Sequence, residues 1–268
     1  MHLFRPTGKT TWLAPAAAVI MAASLFVTAR AEGTAEARKT LGMAVEALGG
    51  LETVTGWETR VSRGLMKTFR PGWGDLQAEC EYYVEKPDKI VLDQDYSVYN
   101  HPFFFRYTYN EGEAWVMVNL GVRQNPRYNE MLEDALRTID GAAWYYENCD
   151  TFFTAEPAGN DTLLEGRDYT RVGVVDYGDT VYFDIDDDTR MPLRSLDAAR
   201  GGGYNHNLYG DYRESGGRLV PFHEVTWSDG RKIREMVWES IEFDVEIDPE
   251  VFERNRPEPL EEDGRDGG

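Results

Sequence analysis

From Tyr169 onward the chain alternates apolar and polar residues in runs broken by pairs of turn-forming residues. The runs are Tyr169–Asp176, Thr180–Ile185, Met191–Ala198, Leu208–Glu214, Leu219–Ser228 and Lys232–Val245. Between them stand Gly178-Asp179, Asp187-Asp188-Thr189, Gly216-Gly217 and Asp229-Gly230. Alternation with period two places successive side chains on opposite faces of a strand. Asp-Gly between two such runs is the strongest short-range hairpin signal, because both residues tolerate positive φ. Connections this short cannot carry a parallel crossover, which needs a dozen residues or more. Short connections between consecutive strands favour an antiparallel meander for this half of the chain.

The preceding half continues the pattern. Val61, Leu65 and Phe69 share one face of a first strand, imperfectly, since Arg63 and Lys67 fall on that face too. Gln77–Glu85 is cleaner, with Ala78, Cys80, Tyr82 and Val84 set against glutamates, and Lys89–Gln94 turns Ile90 and Leu92 inward. Phe103–Tyr109 and Glu113–Leu120 form a hairpin around Asn110-Glu111-Gly112, apolar or aromatic on both faces, which suits a central position. Two stretches read as helices. Thr34 caps the first, whose stripe of Ala37, Leu41, Ala44, Val45 and Leu48 stops at Gly49-Gly50. Asn125-Pro126 opens the second, with Met131, Leu132, Ala135, Leu136 and Ile139 on one side and Gly141 interrupting it. The fold class that follows is α+β: a strongly curved antiparallel sheet, an unclosed barrel of about ten strands, with two helical segments over its concave face.

Residues 1–31 have the form of a cleavable export signal: Arg5 and Lys9, an apolar stretch from Trp12 to Val27, and Ala29-Arg30-Ala31 before Glu32. The expected organisation is a signal peptide over 1–31, a single domain over 32–256, and an acidic, disordered Pro/Glu/Gly tail over 257–268. An exported chain works away from ATP and nicotinamide pools, which points to a periplasmic carrier or binding module without a cofactor. The formal net charge of −20 repels phosphate backbones, so nucleic acid is excluded as a partner. Cys80 and Cys149 make an even pair, which in an oxidising compartment predicts a disulfide, with two buried thiols as the alternative. Catalytic signatures are sparse. There is no Gly-x-Ser-x-Gly or His-Glu-x-x-His, and Asp184, Asp186 and Asp188 read as a hairpin turn, since Thr189 replaces the glycine a calcium loop requires. No metal and no catalytic residue is expected.

Several turn motifs carry a likeness. Ala47-Leu48-Gly49-Gly50 closes the first helix, and Lys86-Pro87-Asp88-Lys89-Ile90 breaks the strand pair. Phe183-Asp184-Ile185-Asp186 leads through Thr189-Arg190-Met191-Pro192-Leu193-Arg194. Gly217-Arg218-Leu219-Val220-Pro221-Phe222 and Ile247-Asp248-Pro249-Glu250-Val251-Phe252 come later. In this order, over roughly residues 34–254, the chain resembles the LolA/LolB-like family of bacterial outer-membrane lipoprotein carriers and sorting proteins. The resemblance implies an unclosed barrel with a helical lid and an apolar cavity for acyl chains. It also implies an arginine that locks the lid, for which Arg63 and Arg106 are the two positions available. Residues placed to line such a cavity are Phe103, Phe105, Tyr107, Trp115 and Met117 on adjacent strands, with Leu132, Leu136 and Ile139 from the inserted helix; ordinary core packing is the competing account of each. The functional expectation is a carrier or binder of lipid or lipoprotein acyl chains. The alternatives are an envelope sensor domain docking on a membrane protein, and an exported hydrolase using paired carboxylates.

Overall fold

The computed structural model describes residues 34–70, 74–97, 103–119, 121–124, 126–156, 162–164, 166–198 and 204–256. Residues 1–33, 71–73, Asn125, 201–203 and 257–268, with the expected signal segment and tail among them, lie outside the described residues.

Helix α1 (34–47) ends at Gly49 and Gly50, whose φ values of 127° and 84° are open to glycine. Gly49 is also needed for close approach: a Cβ there would lie 2.8 Å from the Gly217 carbonyl oxygen. Leu219 N–H donates to Leu48 O at 2.8 Å, so the helix end is clamped onto a sheet turn. A short helix α2 (Leu51–Thr55) then delivers the chain to the sheet.

One sheet of thirteen antiparallel strands follows. The first meander comprises β1 (Thr59–Arg70), β2 (Gly74–Glu85), β3 (Lys89–Asp95), β4 (Phe104–Asn110), β5 (Glu113–Val118) and β6 (Gly121–Gln124), and runs from the middle of the sheet to one edge. Helices α3 (Pro126–Arg137) and α4 (Ala142–Asn148) carry the chain to the other edge. There β7 (Thr151–Ala155), β8 (Tyr169–Asp176), β9 (Asp179–Asp186), β10 (Pro192–Ala198), β11 (Tyr204–Ser215), β12 (Arg218–Ser228) and β13 (Arg231–Phe243) lead back inward. β13 pairs with β1, Arg60 opposite Phe243, and closes the gap between the meanders. A final short helix α5 (Glu250–Glu253) lies against β3 and β4.

The sheet has thirteen strands against the ten or so expected, and the two that no sequence run marked are its edges, β6 and β7. β6 is exposed throughout and has no alternating apolar face, and β7 is only five residues long. Short, poorly patterned edge strands are a common protection against edge-to-edge pairing, and they are also the hardest strands to read from sequence. The hairpin β4–β5 consequently lies near one edge, not at the centre of the sheet. Its second apolar face is covered instead by the C-terminal segment: Trp115 is fully buried and its Nε1 reaches Arg254 O at 3.4 Å, while Val61 and Val91 pack on Ile247 and Phe252.

Register also corrects the first and last strands. Met66, not Leu65, faces the same side as Ala78 and Cys80. A bulge between Arg63 and Gly64 drops one residue of β13 from the pairing, so Trp238 and Ile241 share a face and Val237 is left exposed on the other. Gly64 makes the bulge possible, since a Cβ would sit 2.3 Å from Val237 O.

Cys80 and Cys149 are free, buried thiols, which corrects the expected disulfide. Cys80 sits on β2 with Met66 and Trp238, whereas Cys149 joins α4 to β7 at the far edge and packs on Phe152. The two belong to separate core clusters, and a bridge requires Cα atoms within about 7 Å. Burial pushes the Cys80 thiol up to about 12 and raises Cys149 as well, which keeps both protonated.

Candidate functional site

Helices cover the concave face in two patches. On one side α1 sets Ala37, Leu41 and Ala44 against Phe152, Val172, Phe183 and Ile185. On the other, Leu132 and Leu136 of α3 pack on Val84, Ile90, Tyr109 and Ala114. Between the patches lie the central strands β1, β13, β12 and β11, and here a cavity of about 900 Å³ remains. Ligand pockets fall in roughly the 300–1,000 Å³ range, so the space is of ligand size.

One wall is apolar: Trp57, Met66, Leu92, Tyr107, Met236, Trp238 and Phe243 from the sheet side, with Met131, Leu132, Ala135 and Ile139 from α3. The other is mixed, with Asp197, Asn205, Asn207, Tyr209, Glu224, Thr226 and Arg234. These polar groups are largely tied to one another. Thr226 Oγ1 donates to Asn207 Oδ1 at 3.0 Å and accepts from Arg234 Nη2 at 3.2 Å. Glu224 accepts the Trp238 indole N–H at 2.9 Å. Burial raises the Asp197 carboxyl above the usual carboxylate range, and its Oδ1 has no partner.

The helical cover is latched at the α3–α4 linker. Asp140 accepts from Trp57 Nε1 at 2.8 Å and from Lys86 Nζ at 2.6 Å. Lys86 also donates to Thr55 O at 2.9 Å and lies 3.9 Å from the Trp57 ring centroid. One carboxylate thus joins the inserted helices to both α2 and the end of β2.

Of the eight residues singled out in the sequence, Tyr107, Leu132 and Ile139 line the cavity. Leu136 is buried in the adjoining core, and on the concave side Phe103 stacks on Tyr96 while Phe105 meets the same ring edge-on. Trp115 and Met117 are on the opposite face. Pairing sets Tyr107 against Val116, so the even-numbered residues of β5 share the face of the odd-numbered residues of β4. Neither arginine considered for the lid faces the cavity. Arg63 is on the outer surface with Glu81 and Glu242, and Arg106 is buried against Asp93. The cavity arginines are Arg60, Arg218 and Arg234. For Arg60 a signal was present: it is opposite Val84, on the face that the clean alternation of β2 marks as inward. The aspartates of the 184–188 hairpin are structural. Asp184 is buried between Arg171 and Arg194, and Asp186 accepts from Thr189 N–H at 2.7 Å to close the turn.

No family model matches the sequence, and no curated protein matches it. Solved structures do share the fold. A DUF1329 family protein from Desulfovibrio piger superposes with a TM-score of 0.53 at 11% identity, covering 83% of this chain and 98% of that one. A putative outer membrane lipoprotein-sorting protein domain from Vibrio parahaemolyticus gives 0.52 at 12% identity, covering 80% and 98%. At such identities the likeness is one of architecture: an open, curved antiparallel sheet with helices in its hollow.

Proposed function

We propose that this chain is a carrier or binding protein for an apolar ligand, a lipid or the acyl chains of a lipoprotein, and that it acts without catalysis in the bacterial envelope. The observation that carries the reading is the cavity of about 900 Å³ between sheet and helices, with an apolar wall of aromatic and methionine side chains. A core of this size normally closes such space to native packing density, and leaving it open forfeits dispersion contacts on every lining atom. Occupation by hydrocarbon restores them. Tyr107, Leu132 and Ile139 are the proposed contact residues from the hairpin and α3, with Phe103, Phe105 and Leu136 supporting them from behind. Entry and release take place by movement of α3 and α4 against the sheet, governed by the Asp140 latch.

The carboxylates in the cavity favour binding over hydrolysis. Of the three that line it, Asp140 is engaged by Trp57 and Lys86 and Glu224 by Trp238, so Asp197 is left without a second free carboxylate to pair with. Export is proposed from residues 1–31, and among the described residues no helix is long and apolar enough to cross a membrane. The test is titration of the delipidated full chain with a fluorescent acyl probe, together with native mass spectrometry of the protein as purified. Saturable binding that long-chain lipids compete away is the expected result. No saturable binding at high micromolar probe, with only apo mass in the spectrum, refutes the proposal.

A further inference from the structure

The end of the cavity nearest α2 holds two guanidinium groups with unused donors. Arg218 is 6% exposed, yet its Nη1 has no hydrogen-bond partner. Its Nε reaches Gly216 O at 3.3 Å, and its contact with Asp244 is long, at 3.9 Å. Arg60 donates Nε to Ser62 Oγ at 2.9 Å and has no ion pair among the described residues. Both guanidinium groups flank one ring, with Cζ at 4.1 Å (Arg218) and 5.7 Å (Arg60) from the Phe243 centroid. The other acids that act on them, Asp140 and Glu224, already accept hydrogen bonds from other groups. Desolvation is the largest influence on both arginines and holds each below its ordinary range despite those acids. A buried cation without a hydrogen-bonded counter-charge is costly, and an apolar side chain would fill the same space at less cost. Arg218 is such a cation, and the half-buried Arg60 sets a second positive charge against the same ring, so the pair makes a local positive centre that an anion would neutralise.

Resting on the acyl-binding reading above, we infer that the ligand is an anionic amphiphile. Its carboxylate or phosphate is held between Arg60 and Arg218 at the inner end of the cavity. Its hydrocarbon runs beside Trp238 and Met236 toward Met131 and Ile233, which line the cavity and are 41% and 38% exposed at its mouth. The path along β13 from Phe243 to Ile233 is about 30 Å at the rise of a strand, room for an extended long-chain tail. Arginine suits the task because its planar fork matches both carboxylate and phosphate oxygens.

The experiment compares palmitate, lysophosphatidate and the uncharged hexadecanol as competitors of one fluorescent acyl probe on the full chain at pH 8. Palmitate or lysophosphatidate should compete more strongly than hexadecanol by roughly 10- to 150-fold, the equivalent of one charge-assisted hydrogen-bond contact. The stronger of the two identifies the headgroup. Arg60→Met and Arg218→Met should each remove most of that preference, bringing palmitate and lysophosphatidate down toward hexadecanol measured on the same variant. Equal competition by palmitate, lysophosphatidate and hexadecanol in the unmodified chain overturns the anion site while the acyl-binding reading stands. Failure of all three to compete, with no probe binding, overturns both.

Discussion

Asp140, at the rim of the helical cover, is the point at which that cover can be released by a single substitution. Asp140→Ala removes two charge-assisted hydrogen bonds, one from Lys86 Nζ at 2.6 Å and one from Trp57 Nε1 at 2.8 Å. The pair is shielded, with side-chain exposures of 22% for Lys86 and 8% for Asp140. Hydrogen bonds to charged groups contribute about 1.5–3 kcal/mol each, but Lys86 keeps Thr55 O and the Trp57 ring after the change, so we expect a loss of about 2–4 kcal/mol. For a domain of this size that is a fall in Tm of roughly 4–16 °C. Asp140→Asn retains an acceptor for the indole and should cost about half as much. Equilibrium unfolding in urea measures both, and an unchanged m-value shows that the same surface is exposed. Probe association should accelerate in both variants, because lifting α3 and α4 breaks these bonds first. A loss from Asp140→Ala below about 0.5 kcal/mol, the worth of an ordinary surface pair, refutes the latch.

Cys80 and Cys149 should be unreactive toward a thiol reagent in the folded protein, and two thiols per chain should titrate in guanidinium without reductant; zero thiols there restores the disulfide. Trp115→Ala should cost about 3–5 kcal/mol in urea unfolding by emptying the packing under the C-terminal segment, with the acyl-probe affinity of the folded variant unchanged. Asp186 is held below the usual carboxylate range, chiefly by the Thr189 N–H. Its contribution is therefore full above about pH 4 and is lost as pH falls through the lowered folded value, so Asp186→Asn, which removes the titrating carboxylate, should flatten the acid limb of the stability curve. Asp197 is shifted the other way by burial, so its contribution is present below about pH 4 and lost as pH rises through the raised folded value. Asp197→Asn should gain stability at pH 7 and none at pH 3; an equal gain at both refutes that assignment.

What the sequence settled on its own was local. Period-two alternation and Gly/Asp turns located the long strands of both meanders, Gly49-Gly50 ended α1, and the stripe from Met131 to Ile139 identified α3, because these depend on backbone preferences and on which face a residue takes within its own element. What the tertiary structure decided was non-local. The edges β6 and β7 exist because a neighbour offers them hydrogen bonds, not because of their own pattern. Whether Trp115 faces the cavity or the C-terminal segment depends on the β4–β5 register and on a segment well over a hundred positions away in the chain. The bulge at Gly64 reverses the facing of half of β13, an effect that only the partner strand reveals. The hollow with its three arginines follows from α1 and α3 resting on opposite halves of one curved sheet and leaving the middle uncovered, a consequence of long-range packing that no short window of residues encodes.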